Sequence, residues 1–343
     1  MNSTGTYKIH FVVLTFLLLA AFFLNLTLGS VAIPFSEILK SFFGSGASKE
    51  SWNYILLNYR LPKAITAMIT GGGLSVAGLL MQTLFRNPLA GPYVLGISSG
   101  AGLGVAILVL GAGALGGVFA TFLLSPWSLV IVAGLGSFLV LVAVMAVSMK
   151  IKDTMSILII GLMFGSLTSA VVAVLSYFSN AQQLQQYIFW SFGSLGNQSW
   201  ERVWILLFCF CAGLLLSVLS GKSLNSLLLG ENYARSMGLR LKRTTLLLIL
   251  ATSILAGAIT AFAGPIAFVG LAVPHLVRQV FRTANHFILI PAVLLFGSFL
   301  MLLCDTVAQL PFSSYTLPIN AITSIIGAPV VIWLLVRKKK MFF

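Results

Sequence analysis

The sequence predicts an all-α, polytopic membrane protein of about ten transmembrane helices, read as a single transmembrane domain over residues 1–343. Three observations carry this expectation. Hydrophobic residues make up 59% of the chain, charged residues 8%, and the mean hydropathy is +1.06. Such values belong to the membrane class, whatever domain count the length alone suggests. Apolar windows of about 20 residues, enough to cross a bilayer as helix, recur from end to end. The 20 Lys and Arg residues are also split unevenly between alternate loops, fifteen on one side and five on the other, which is the positive-inside bias.

In order, the windows are 9–28, 61–82, 94–111, 118–148, 156–178, 202–220, 244–262, 266–281, 287–308 and 317–336. The first is long for the apolar region of a secretory signal and lacks a clean A-x-A site, so it reads as a retained helix. Residues 30–58, broken by Pro34, Gly44 and Gly46, form one long outer segment. Ser179 to Arg202 is a second outer patch, where Trp190, Trp200 and Trp204 suit a membrane interface. Gly96, Gly100 and Gly104 recur at four-residue spacing, as do Gly161 and Gly165, which lets helix backbones approach closely in lipid. Spans at about 61–178 and 244–336 share a rhythm of Gly- and Pro-interrupted helices that suggests an inverted repeat. With the N-terminus inside, both termini are cytoplasmic. The net charge of +14 then records topology, with no nucleic-acid partner implied.

Catalytic chemistry finds no constellation. Gly111, Gly113 and Gly116 satisfy G-x-G-x-x-G, but follow a membrane span instead of a strand, and no Walker-type phosphate loop occurs. His10, His275 and His286 are scattered, with no carboxylate or serine at a spacing that builds a triad or a metal centre. Cys209, Cys211 and Cys304 lie in spans at spacings unsuited to tetrahedral coordination and read as small buried thiols. Asp305, the one acid deep in an apolar stretch, is assigned a hydrogen-bonding role at its helix end in preference to proton transport. No catalytic residue, metal or cofactor is expected.

Three segments remain. Arg86 to Ala101, holding Asn87, Pro88, Gly96 and Gly100, and Ala263 to Arg278, holding Pro265 and Pro274, are irregular backbone beside spans. Each reads either as an ordinary turn or as a break lining a pathway. The third, Gly221 to Thr244, is a charged island with six of the 26 charged residues of the chain. Glu231 opens a short helix, Arg235 is placed to pair with it one turn on, and Gly238 is a left-handed stop. Such a helix is too short to span a membrane and suits a surface knob gripped by a partner.

These stretches resemble the permease subunits of bacterial iron-siderophore, haem and vitamin B12 ABC importers, the FecCD-type family. The resemblance rests on Arg60-Leu-Pro-Lys63, Arg86-Asn-Pro-Leu-Ala90 with Leu95-Gly-Ile-Ser-Ser-Gly-Ala101, Leu229 to Gly238, and Gly264 to His275 with Ile326-Gly-Ala-Pro329. It implies a type II ABC importer architecture: a homodimer of ten-helix subunits in the bacterial cytoplasmic (inner) membrane, with a pathway on the two-fold axis. It further implies a separate cytoplasmic ATPase and an extracytoplasmic substrate-binding protein. By the same resemblance, Leu228, Gly230, Glu231, Ala234, Arg235 and Gly238 belong to the ATPase coupling helix, and Thr154 and Met155 to a cytoplasmic gate. Arg60 and Lys63 would dock the binding protein. The sequence departs from the family pattern at Gln309, where a third basic docking group is usual, and at Thr316 and Asn320, where Glu and Gly are usual. The competing classes are a secondary carrier or channel without an ATPase, which has no use for a protruding knob, and a membrane-embedded enzyme, which lacks a catalytic constellation.

Overall fold

The computed structural model describes residues 3–44, 46–115, 125–148, 154–196, 198–313 and 315–336. Helices occupy all ten expected windows. The first window is α1 (Ser3–Thr27), after which the outer segment folds as α2 (Phe35–Phe42) and α3 (Glu50–Ile55). A π-helical turn, Leu56–Arg60, runs without a break into α4 (Leu61–Leu84). Next come α5 (Ile97–Leu115), α6 (Pro126–Ser148) and α7 (Thr154–Tyr177). The second outer patch holds α8 (Ala181–Ser191), followed by α9 (Trp200–Leu219). The charged island holds two short helices, α10 (Gly221–Leu228) and α11 (Glu231–Ser236). The chain then continues through α12 (Leu241–Ala263), α13 (Val269–Phe281), α14 (His286–Ala308) and α15 (Ile319–Val336).

Seven of the described helices are long and apolar enough to cross a membrane, and Ile97–Gly111, Val269–Phe281 and Ile319–Trp333 are shorter apolar helices. Two windows start late, because residues preceding Ile97 and Val269 form the irregular segments flagged by their Gly and Pro content. The window at 118–148 opens at Pro126, where Ser125 Oγ accepts from Ser128 N and proline suits the first helical turn. Residues 116–124, including Gly116 of the rejected motif, lie outside the described residues.

Helix α4 is the axis of the subunit. Its span is 89% buried, and it packs against α14, α12, α13 and α9. Glycines make these contacts: a Cβ on Gly71 would lie 2.1 Å from Gly297 O, and one on Gly78 would lie 1.6 Å from Gly270 O. The Gly96–Gly100–Gly104 row serves packing within the subunit, since a Cβ on Gly100 would lie 2.4 Å from Gly136 O of α6. Close backbone approach of this kind is how helices associate where lipid removes the hydrophobic drive. At the other extreme, only 11% of the α7 window is buried, although its mean hydropathy is 2.3. Cys209 and Cys304 are buried as expected; Cys211 instead is exposed.

Candidate functional site

The two ends of α4 carry the groups singled out above. At its first turn, Arg60 is buried, and its guanidinium donates to the carbonyls of Leu26 (2.6 Å), Thr27 (3.0 Å) and Val31. These include carbonyls at the end of α1, which have no partner within the helix. A Cβ on Gly29 would lie 2.8 Å from Arg60 Nη2, so the glycine leaves room for the guanidinium. Three of its N–H donors are thus turned inward, to carbonyls of its own chain. Lys63 is likewise engaged, with Nζ 3.1 Å from Asp305 Oδ1. Asn25 (2.9 Å) and Gln309 (2.8 Å) both donate to Asp305 Oδ2, and Asn25 also donates to Thr306 Oγ1. Gln309, the departure from a basic residue, thus completes the shell of a buried carboxylate. Asp305 ties α1, α4 and α14 together at the helix end where the sequence placed its role.

At the opposite end of α4 lies the charged island. Its second helix closes as foreseen. Gly238 sits at φ +85°, with Gly238 N bonded to Arg235 O (2.9 Å) and Leu239 N to Ala234 O (3.0 Å), the paired bonds of a Schellman stop. Gly230, at φ +112°, turns the chain between α10 and α11. Glu231 and Arg235 are both exposed and form no ion pair among the described residues, contrary to expectation. A six-residue helix in water gains little by fixing two long side chains. Ala234 is fully buried and faces the body of the protein, so it is not part of a gripped face. Leu228 and Gly230 are half-buried, whereas Leu229, Tyr233 and Met237 stand out at 63%, 53% and 60% exposure. Tyr233 and Met237 lie one turn apart, with Met237 N bonded to Tyr233 O (3.1 Å), and Leu229 stands on the other side of the turn at Gly230. The sequence reading passed over all three; their place within the charged island was the available clue.

The knob is mounted firmly. Leu224 and Leu227 of α10 are buried, and α10 packs on α4 and α14. Arg86 donates from Nη2 (2.9 Å) and Nε (3.3 Å) to Leu227 O, neutralising a helix C-terminus. Asn225 Oδ1 accepts from His286 N (2.9 Å) and lies 2.8 Å from His286 Nδ1. An amide oxygen only accepts, so Nδ1 carries the proton toward Asn225, while Nε2 lies 2.8 Å from Thr83 Oγ1, whose hydroxyl is shared with Leu79 O (2.9 Å). Arg278 of α13 reaches the same turn of α4 through Gln82 Oε1 (3.0 Å), and Gln82 donates back to Leu271 O (3.0 Å). His286 is fully buried, and a buried polar group without partners costs about 1–3 kcal/mol, so its pairing on both sides fixes its place.

The two irregular segments converge. Residues Gly91, Tyr93, Ile266, Phe268 and Leu271, with Leu74 of α4, line a mainly apolar cavity of about 190 Å³. Of the expected pathway residues, Asn87 is buried and caps its turn through Leu89 N (2.9 Å), and Pro274 lies within α13. Gly96 and Gly100 pack against α6 and α7, while Pro88 and Pro265 are half-buried. None of these six lines the cavity; their neighbours do. Phe268 adopts φ +66°, a strained conformation for a bulky residue. Two residues of α15 brace it: Asn320 Oδ1 accepts from Ala267 N (3.1 Å), and Gly327 is so close that an added Cβ would lie 2.3 Å from Phe268 Cβ. The Asn320 departure is thus a link between α15 and the break before α13. Thr316 is exposed. Thr154 and Met155 open α7, but their side chains lie outside the described residues. Among the described residues, no group of three His, Cys, Asp or Glu residues is placed to hold a metal ion.

Comparison with known proteins fits this geometry. The FecCD transport family matches residues 17–337. The vitamin B12 import system permease BtuC of Klebsiella pneumoniae is 34% identical over 327 residues, which is 95% of this chain and 93% of that protein. The hemin transport system permease HmuU of Yersinia pestis is 34% identical over 314 residues, 91% of each chain. Among solved structures, an inward-facing metal-chelate type ABC transporter superposes with a TM-score of 0.80 at 30% identity, covering 97% of this chain and 99% of that one. The chain therefore belongs to the FecCD transport family and is the multi-pass permease subunit of an ABC importer.

Proposed function

We propose that two copies of the chain form the pathway of an importer for a bulky metal chelate: a corrinoid, a haem or a ferric siderophore. A separate cytoplasmic ATPase grips the island, and a substrate-binding protein docks at the Arg60 end. The setting is a bacterial cytoplasmic membrane, with both chain termini and the island on the cytoplasmic side. The observation that carries this reading is the exposure of Leu229, Tyr233 and Met237 on a knob that is otherwise strapped to the helix bundle. Exposed apolar side chains among charged ones are what a partner's cleft can grip, with the aromatic as anchor. Glu231, Arg235 and Gly238 shape that knob. Leu228, Gly230 and Ala234 hold it to the body.

The substrate class follows from chemistry common to the relatives, whose names specify vitamin B12, hemin and a metal chelate. Each is a metal ion enclosed in an organic shell. The 190 Å³ cavity is small beside the roughly 300–1,000 Å³ of pockets that enclose drug-sized ligands. A route for such cargo is accordingly placed between two copies, next to the sparsely buried α7, with the Phe268 segment at its side. Docking at the Arg60 end falls to exposed groups such as Lys49 and Phe43 of the outer segment, since Arg60 itself is buried. Thr154 and Met155, at the start of α7, remain the proposed cytoplasmic gate.

The test is reconstitution of the permease with its ATPase and binding protein in proteoliposomes. Haemin, cyanocobalamin and a ferric hydroxamate siderophore are compared as stimulators of ATP hydrolysis. Glu231→Arg and Tyr233→Asp should insert normally yet lower ATP-driven uptake by about tenfold or more, the scale of losing one anchoring contact. Normal uptake by both variants would refute the coupling reading.

A further inference from the structure

The island needs more than exposed apolar side chains to do work; force applied to it has to reach the pathway. Four elements meet at one buried polar cluster beneath it. Asn225 lies on α10, His286 opens α14, Thr83 and Gln82 are in the last turns of α4, and Arg278 is on α13. The bonds run in series: Asn225 Oδ1 to His286 Nδ1 (2.8 Å), His286 Nε2 to Thr83 Oγ1 (2.8 Å), and Gln82 Oε1 to Arg278 Nη1 (3.0 Å). Asn225 Nδ2 also donates to Asn285 Oδ1 (3.0 Å), the group that caps α14 through Phe287 N (3.0 Å). At the far end of this chain, Gln82 Nε2 holds Leu271 O (3.0 Å), and Leu271 lines the cavity beside Phe268.

We propose that His286, clamped between Asn225 and Thr83, is a positioning residue that locks the knob to α4 and α14 and, through Gln82 and Arg278, to α13. Displacement of the knob then moves the cytoplasmic ends of these helices as one body and reaches the strained Phe268 turn. This rests on the coupling role of the island. Packing alone would not serve as well: the apolar contacts of Leu224 and Leu227 permit sliding, whereas directed hydrogen bonds at buried groups fix register. A rigid mount is also what a small shift at one site needs to become a helix movement at another.

The experiment uses the full permease with its ATPase subunits in proteoliposomes. Cys209, Cys211 and Cys304 are replaced by Ala or Ser, and Tyr93→Cys is added as a maleimide reporter, because Tyr93 lines the cavity and is 49% exposed. Labelling rate is compared with and without ATP plus vanadate. In the parent, nucleotide changes the rate. In His286→Ala and in Asn225→Ala, ATP hydrolysis is expected to continue while that change shrinks by at least about fivefold, the lower end of a typical coupling between sites. His286→Gln, whose amide can both donate and accept, should restore most of it. The proposal is overturned if the alanine variants keep the full nucleotide response, or if His286→Gln fails as completely as His286→Ala. Should His286→Ala not insert, Asn225→Ala, at a half-buried site, decides alone. Glu231→Arg separates the two levels. If it too leaves the nucleotide response intact, the coupling reading itself fails. If it abolishes the response while the Asn225 and His286 variants keep it, only the linkage fails.

Discussion

At the scale of single residues, Asp305 shows how a membrane carboxylate can be structural. It is 2% exposed, with Lys63, Asn25 and Gln309 around its two oxygens. Removing one partner of a buried ion pair typically costs about 3–5 kcal/mol, because the other charge is left without compensation. Lys63→Met should therefore lower the thermal unfolding temperature in detergent markedly. Adding Asp305→Asn should recover part of the loss, since the amide oxygen still accepts from Asn25 and Gln309 while no charge remains buried. A double variant no more stable than Lys63→Met would contradict this account. Sequence alone located Asp305 near the end of its helix. It could not show that Asn25, Lys63 and Gln309, up to 284 residues apart in the chain, would supply the shell. Nor could it show that Arg60, assigned to docking by the family resemblance, would be buried against carbonyls at the end of α1.

At the scale of elements, the outer segment between α1 and α4 is the clearest surprise. Its Pro and Gly residues marked only where the segment is broken; between them it folds as α2 and α3, with Glu37 as a hub. Glu37 binds Lys40 (2.7 Å) and both the amide (2.6 Å) and hydroxyl (2.7 Å) of Ser48, and Ser41 bonds Asn53. The Lys40 hydrogen bond, then the two Ser48 bonds, hold the Glu37 carboxyl down at about 2 from an ordinary 4.5. A carboxylate whose folded value is depressed stabilises the fold above the unfolded value, and that contribution is lost as pH falls toward the folded one. Protection of the α2 amides against hydrogen exchange, taken relative to the intrinsic rate at each pH, should thus hold at pH 5 and fall between about pH 4.5 and pH 2. Glu37→Gln should be less protected at pH 5 with little further change on acidification; a pH response like that of the parent would argue against the Glu37 lock. Six-residue helices such as α11 were legible from Glu231 and Gly238, because caps are local chemistry.

At the scale of the whole molecule, burial is unevenly shared. The α4 span is 89% buried and α12 78%, whereas α7 is 11% buried and carries Ile159, Met163, Leu167 and Val174 on its surface. A second copy meeting α7 is the proposed arrangement, and cysteine cross-linking can judge it. On a background without native cysteines, Leu167→Cys should yield an oxidised dimer in membranes, whereas Phe16→Cys on α1, exposed at 70%, should not. Cross-linking through Phe16 but not Leu167 would assign the α7 face to lipid.

The sequence by itself determined the all-α membrane class, the order and approximate limits of the ten apolar helices, the two breaks and the knob. Each of these is written in local chemistry: runs of apolar side chains, Gly and Pro that interrupt them, caps, and charge that the bilayer excludes. Tertiary structure alone decided which polar groups face each other. It turned Arg60 inward, gave Asp305 its partners, exposed Tyr233 while burying Ala234, and brought Asn225, His286, Thr83 and Arg278 together beneath the knob. Helix periodicity says that a face is polar, but the partner of a buried donor is set by how helices distant in sequence cross. In a chain with so few charges, those pairings decide how its moving parts are joined.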